Sequence, residues 1–149
     1  MPPAPITNRH LFGWNCEKIL HPILEEILDE PLTKSSNRFN TIDFSGKYWK
    51  PELKSRPKYD ERGKFQDSNT YKEWLVPTCK EKTALELTDG EVVFFYFWEG
   101  DNSLWYCSYD FEKFSTIRRE IPFFSNQEHF YIPKDFFTKL DVSIPPIVA

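Results

Sequence analysis

Glu91-Val92-Val93-Phe94-Phe95-Tyr96-Phe97-Trp98 is, after its first residue, an unbroken apolar run of β-branched and aromatic side chains. Such a run reads as a buried central strand, because a strand wetted on one face alternates with polar residues. Val92 to Trp98 is far shorter than the roughly 20 apolar residues that cross a bilayer. Beyond it, Gly100-Asp101-Asn102 turns the chain into another strand, Leu104 to Tyr109. Before it, Tyr71 to Val76 reads as a strand. Pro77 suits the first position of a short helix ending near Thr88, and Gly90 suits its stop.

Towards the N-terminus, Ile19, Leu20, Ile23, Leu24, Ile27 and Leu28 recur at helical spacing, with Glu25, Glu26 and Asp29 facing out. Asn15 is the expected N-cap, Glu17 lies in the favourable first turn, and Pro22 kinks the helix or starts its regular part. Residues 1–8, with three prolines, read as an arm. Phe39 to Phe44 and Tyr48 to Arg56, separated by Ser45-Gly46-Lys47, read as a β-hairpin. In its second strand Tyr48, Lys50, Glu52 and Lys54 share one face; Trp49, Pro51, Leu53 and Ser55 share the opposite, mostly apolar one. Pro57 to Asn69 is a charge-rich loop. After Tyr109 the chain is less regular, with a short strand at His129 to Ile132, a helical turn or two at Asp135 to Leu140, and an extended tail from Ser143. The expected domain spans 9–142, and its class is α/β (α+β), a single domain with antiparallel strands flanked by helices.

The chain has 149 residues, enough for one core and short for two. An aromatic content of 17% excludes a disordered chain. A net charge of −4 excludes a charge-driven nucleic-acid coat but leaves room for local contacts. Cys16, Cys79 and Cys107 form no CxxC pair, which reads as reduced thiols and no structural zinc. With no signal-peptide pattern, the expectation is a soluble, intracellular protein without a membrane partner.

The residues that carry chemistry lie on the hairpin. Glu52 and Lys54 point to one side, and Asp43 can be brought to that side from the facing strand. Two carboxylates and a lysine suit divalent-metal phosphodiester cleavage: the acids hold Mg²⁺ (or Mn²⁺), and the lysine orients water or offsets charge in the transition state. Register tests this. A two-residue turn at Ser45-Gly46 would pair Asp43 with Tyr48 and leave Glu52 roughly 13 Å away at strand rise. A four-residue loop, Ser45 to Tyr48, would set Asp43 opposite Lys50, with Glu52 a diagonal neighbour at roughly 7–8 Å. A turn centred on Lys47-Tyr48 would set the two acids directly opposite. The site therefore needs a loop wider than the tight turn.

Ile42-Asp43-Phe44 followed by Pro51-Glu52-Leu53-Lys54-Ser55-Arg56 resembles the signature of the PD-(D/E)xK (restriction-endonuclease-like) nuclease superfamily, and is most similar to small stand-alone members from large DNA viruses and phages. The resemblance spans about residues 14 to 140 and includes Glu17, Lys80 or Lys82, the Val92 to Trp98 strand and Tyr131-Ile132-Pro133. It implies an αβββαβ core with a β-rich C-terminal extension and a Mg²⁺-dependent nuclease. Asp43 and Glu52 would be metal ligands, Lys54 the catalytic lysine, and Glu17 and Lys80 accessory. It favours DNA over RNA as substrate and is compatible with a homodimer. Ile42 stands in place of the proline of the family name. Pro51 lacks the N–H expected of a strand residue, which implies a bulge or an unpaired strand edge.

A local basic face would then hold the nucleic acid, with Lys50, Arg56 and Lys58 as its expected contacts and Lys47, Lys54 and Lys80 nearby. Lys82 otherwise reads as part of a solvated helix face, and His21 as a boundary residue of its helix. His10 and His129 have no partner motif. Tyr48, Trp49, Tyr59 and Tyr71 suit either base stacking or packing. The rival function is a non-catalytic protein of the same fold that binds nucleic acid or a protein partner, as in a virion or replication complex.

Overall fold

The structure, a computed structural model, describes residues 8–35, 42–86 and 90–147. Of the expected arm, 1–7 lie outside these residues and Asn8 begins α1, and the first half of the first hairpin strand, 39–41, lies outside them too. The chain forms helix α1 (Asn8–Leu28), strands β1 (Thr33–Lys34), β2 (Phe44–Ser45), β3 (Trp49–Arg56) and β4 (Glu73–Pro77), helix α2 (Cys79–Glu86), and strands β5 (Glu91–Trp98) and β6 (Ser103–Ser108). A short helix α3 (Phe111–Phe114) and strands β7 (Arg118–Glu120), β8 (His129–Pro133) and β9 (Thr138–Lys139) follow. This is a mixed α+β domain, as the sequence pattern requires.

Strand β5 is the organising element. It pairs in parallel with β3 along its whole length, Trp49 opposite Glu91 through Arg56 opposite Trp98, and antiparallel with β6. The four-stranded sheet runs β3-β5-β6-β9. Val92, Phe94, Tyr96 and Trp98 pack on one side with Trp74, Val76, Phe130 and Ile132 from a three-stranded sheet ordered β4-β8-β7. Val93, Phe95 and Phe97 pack on the other with Cys16, Leu20 and Leu24 of α1, Leu53, Phe44 and Ile144. Both faces of β5 are thus covered, which explains its lack of alternation.

Helix α1 begins well before Asn15, which is interior and caps nothing. Pro22 is accommodated inside it: Lys18, whose carbonyl loses its usual donor, and Pro22 itself both lie on the exposed side of the helix. The buried stripe is Cys16, Leu20 and Leu24. The thiols of Cys16 and Cys107 are buried, and burial pushes them up to about 12 and about 11, so neither is a nucleophile at neutral pH.

The expected hairpin needs correction. β2 pairs antiparallel with β1, Lys34 opposite Phe44, and the described residues form no ladder between β2 and β3. β4 does not extend this sheet either; it joins β8 and β7. Pro77 ends β4 opposite His129 instead of starting α2. Asp135 to Leu140 forms a 3₁₀ turn at Lys134–Phe136 and then β9. Ile144 is buried and its carbonyl accepts from Asn102 Nδ2 at 3.0 Å, so the tail belongs to the domain. The 57–69 loop exposes its charges but buries Gln66 and Ser68, which bond to the Pro57 carbonyl and to Asp101.

The turn into β3 is held by one carboxylate. Glu30, just past α1, accepts the Tyr48 N–H through Oε2 (3.0 Å) and the Trp49 N–H through Oε1 (2.8 Å). Gly90, at φ 88°, lies against the Tyr48 carbonyl, where a Cβ would come within 2.8 Å of the oxygen. Glu30→Ala is therefore expected to lose about 2 kcal/mol, since hydrogen bonds to a charged acceptor contribute about 1.5–3 kcal/mol. Thermal unfolding should show Tm lower by roughly 4–8 °C; an unchanged Tm would mean that the clamp contributes nothing.

Candidate active site

The site grows from the open edge of β3. Side chains alternate along this strand, and so do the backbone N–H directions. Trp49 and Leu53 direct their N–H groups away from β5, to Glu30 and to Asp43 Oδ2 (2.9 Å). Pro51, which has no N–H to offer, lies between them on the same side. The expectation of an unpaired edge is met, and it explains how a proline sits in this strand without breaking a ladder.

Asp43 therefore reaches β3 through side chains. Its own N–H donates to Glu52 Oε1 (3.1 Å), while the neighbouring Leu53 N–H donates to its carboxyl. These reciprocal bonds set Asp43 level with Glu52 and Leu53 without any ladder between the two segments. Glu52 is only 2% exposed. Its second oxygen, Oε2, takes the Lys80 ammonium at 2.7 Å, with both side chains largely buried. Lys80 comes from the first turn of α2, and of the two candidate lysines it is the one that pairs with Glu52.

Glu17 completes the acidic row from α1. Its carboxyl interacts with that of Asp43 and forms an ion pair with Lys34 at 2.8 Å. Three carboxyls from α1, the segment before β2, and β3 thus meet beside two lysines. Burial, then the charge and hydrogen bond of Glu52, push the Asp43 carboxyl up to about 8. Burial and the Asp43 charge also raise Glu17. Lys54, two residues beyond Glu52 on the same face, is lowered by desolvation, against which the Glu52 charge works. Burial beside the Glu52 charge thus favours the protonated form of Asp43, as expected where two acids lie close together in a desolvated place.

The proposed nucleic-acid contacts separate. Lys50 is buried and its ammonium donates to the Gly46 carbonyl, because even-numbered residues of β3 face inward towards the second sheet. It therefore offers no external contact, a correction to the expected basic face. Arg56 donates through Nε to the Tyr96 hydroxyl at 3.0 Å. Lys58 is exposed beside the Tyr59 ring. Tyr48 and Tyr59 are exposed, whereas Trp49 packs against the α1 cluster. His21 bonds the Leu32 carbonyl at 2.8 Å, a boundary role as read. Two residues join the surroundings of the site: Lys34, paired with Glu17, and His129, whose imidazolium is disfavoured by burial and by the nearby Lys54 and Arg56 charges. Neither has a motif that sequence could have shown; the fold alone brings them in.

Among the described residues, no group of three or more His, Cys, Asp and Glu side chains is disposed to hold a metal ion. Asp43 and Glu52 remain the two carboxylates that the sequence offers to Mg²⁺, an ion commonly bound by one or two carboxylates with water and phosphate oxygens in its remaining positions. No described helix is long and apolar enough to cross a membrane. Nothing matches this chain among protein-family models, curated proteins or solved structures.

Proposed function

We propose that this protein is a metal-dependent nuclease that hydrolyses phosphodiester bonds, with DNA as the preferred substrate. The observation that carries this reading is the buried Asp43–Glu52 pair, with Lys80 and Lys54 beside it. Gathering carboxyls in a desolvated edge raises the free energy of the folded state, and such arrangements concentrate at functional sites. Asp43 and Glu52 would hold Mg²⁺ or Mn²⁺, which supplies phosphate polarisation and a more acidic water. Lys54 directs an ammonium to the same face and offsets charge that develops on the phosphate. Lys80 pairs with Glu52 while no cation is bound, and Glu17, paired with Lys34, adds its carboxyl beside Asp43. DNA is preferred on the resemblance of the Asp43 and Glu52-Leu53-Lys54 motifs; the residues themselves suit RNA equally.

The test is incubation of single-stranded, double-stranded and branched DNA, and of RNA, with the purified chain in Mg²⁺ or Mn²⁺. Cleavage that needs the metal is expected, as is a rise in Tm with Mn²⁺ that disappears in Glu52→Ala. One observation favours a second reading, a non-catalytic binding protein of the same fold: the Lys80 ammonium already satisfies Glu52. That reading predicts neither cleavage nor a Mn²⁺-dependent Tm shift.

A further inference from the structure

The two acids offered to a cation are already engaged within the chain. Glu52 Oε1 accepts the Asp43 N–H at 3.1 Å, and its Oε2 holds the Lys80 ammonium at 2.7 Å. Asp43 Oδ2 accepts the Leu53 N–H at 2.9 Å. The side chains of Lys80 and Glu52 are only 11% and 3% exposed. Solvent therefore does little to weaken this pair, and removing either partner would strand the other's charge away from water.

Helix α2 is anchored in a way that lets the ammonium leave while the helix stays. None of its eight residues is fully buried, and its first turn is held by polar contacts. Glu81, next to Lys80, accepts the Tyr109 hydroxyl at 2.6 Å and the two Arg119 Nη groups at 2.9 and 3.1 Å. Thr78, just ahead of the helix, donates its N–H to the Glu128 carbonyl at 3.1 Å. These bonds tie the first turn to the residue after β6, to β7 and to the start of β8, and none of them involves the Lys80 ammonium. A lysine carries its charge on a flexible four-carbon stem, so the ammonium can swing off Glu52 with its Cα fixed.

Resting on the nuclease reading and adding the regulation of its site, we propose that Lys80 is a built-in competitor of the metal: its ammonium holds the Glu52 carboxylate, and a divalent cation binds at Asp43 and Glu52 by displacing it. A site whose ligand is engaged about nine-tenths of the time shows a Kd about tenfold weaker than its intrinsic value. Lys80 thus keeps the acids together when metal is scarce and sets the concentration at which the site loads. The coupling is reciprocal, so a bound cation weakens the Lys80–Glu52 pair by the same factor.

Mn²⁺ binding to the full chain, read from the loss of the free-ion EPR signal, tests this without any cleavage. Lys80→Met keeps most of the stem and removes the charge; it should bind Mn²⁺ roughly tenfold or more tightly than wild type. Lys80→Arg, which keeps a cation on Glu52, should bind no more tightly than wild type. The same holds for Lys82→Met, which removes an exposed charge from the same helix. Wild type supplies a second readout that decides the matter if Lys80→Met fails to fold. Acetylation followed by mass spectrometry should modify Lys80 slowly in metal-free protein and faster in saturating Mn²⁺, with Lys82 unchanged. Equal Mn²⁺ affinity of wild type and Lys80→Met would overturn the competition, as would a Lys80 reactivity that bound Mn²⁺ leaves unchanged. An equal gain in Lys82→Met would overturn it too, by showing a general effect of charge. Equal affinities in a chain that cleaves would reject the competitor and keep the nuclease; tighter binding by Lys80→Met in a chain that never cleaves would do the reverse. Binding by none of these proteins would overturn the competition, and the cleavage assay then judges the nuclease by itself.

Discussion

Lys54→Ala is expected to lower metal-dependent cleavage by roughly 10²- to 10³-fold, the effect of removing one preorganised donor from a developing negative charge. Lys54 follows Glu52 by two residues on one strand face, so its direction is set by β3 itself. β3 is fixed along its length by parallel pairing with β5. Truncation should thus leave the acids in place. Desolvation of the ammonium outweighs the help of the Glu52 charge, so removing it should not destabilise the fold, and Tm should stay the same or rise. Rates at matched purity, with circular dichroism as the folding control, measure the effect. Equal cutting by both proteins would place the reacting phosphate elsewhere or identify a contaminant.

Asp43→Asn should remove most of a pH dependence of stability that the wild type shows. The Asp43 carboxyl has an ordinary value of 3.8 and is pushed up to about 8 in the folded chain. A group raised in this way stabilises the fold fully below its unfolded value, and that contribution is lost as pH rises through the folded value. Between about pH 5 and 7.5 the folded chain binds a proton that the unfolded chain has released. Stability should fall there with a slope approaching ~1.4 kcal/mol per pH unit, the limit for one proton. Asparagine keeps an oxygen for the Leu53 N–H but cannot titrate. The variant should unfold with a much flatter pH profile and be the more stable protein at pH 9. Thermal melts of both from pH 5 to 9 decide the matter: parallel profiles would show that Asp43 ionises normally.

What the sequence disclosed follows from how local each signal is. The β5 run is legible because two-sided burial demands it residue by residue, and the two faces of β3 followed from alternation. The partner of β3 was not legible. Parallel pairing with β5 closes over β4 and α2, and nothing in Phe39 to Arg56 distinguishes a ladder from two strands that meet through side chains. The Asp43–Glu52 contact could be posed only as a condition on the loop, and Glu17 and Lys80 only through resemblance, because packing of α1 and α2 brings them in. Lys50 was misplaced for a related reason. Alternation put it on the Glu52 face, but whether that face meets water or a second sheet is a tertiary fact.

The bare edge of β3 has a consequence for how the chain behaves in company. A strand edge with free N–H groups can recruit strands from other molecules and seed aggregates. Here the outward groups from Trp49 to Leu53 are silenced one by one: Glu30 takes the first, proline removes the second, and Asp43 takes the third. Two of those three stoppers are acids, so the feature that assembles a polar site on this edge also keeps neighbouring chains from docking to it. Removing either acid would uncover a donor on this edge, so resistance to aggregation and the polar site rest on the same strand.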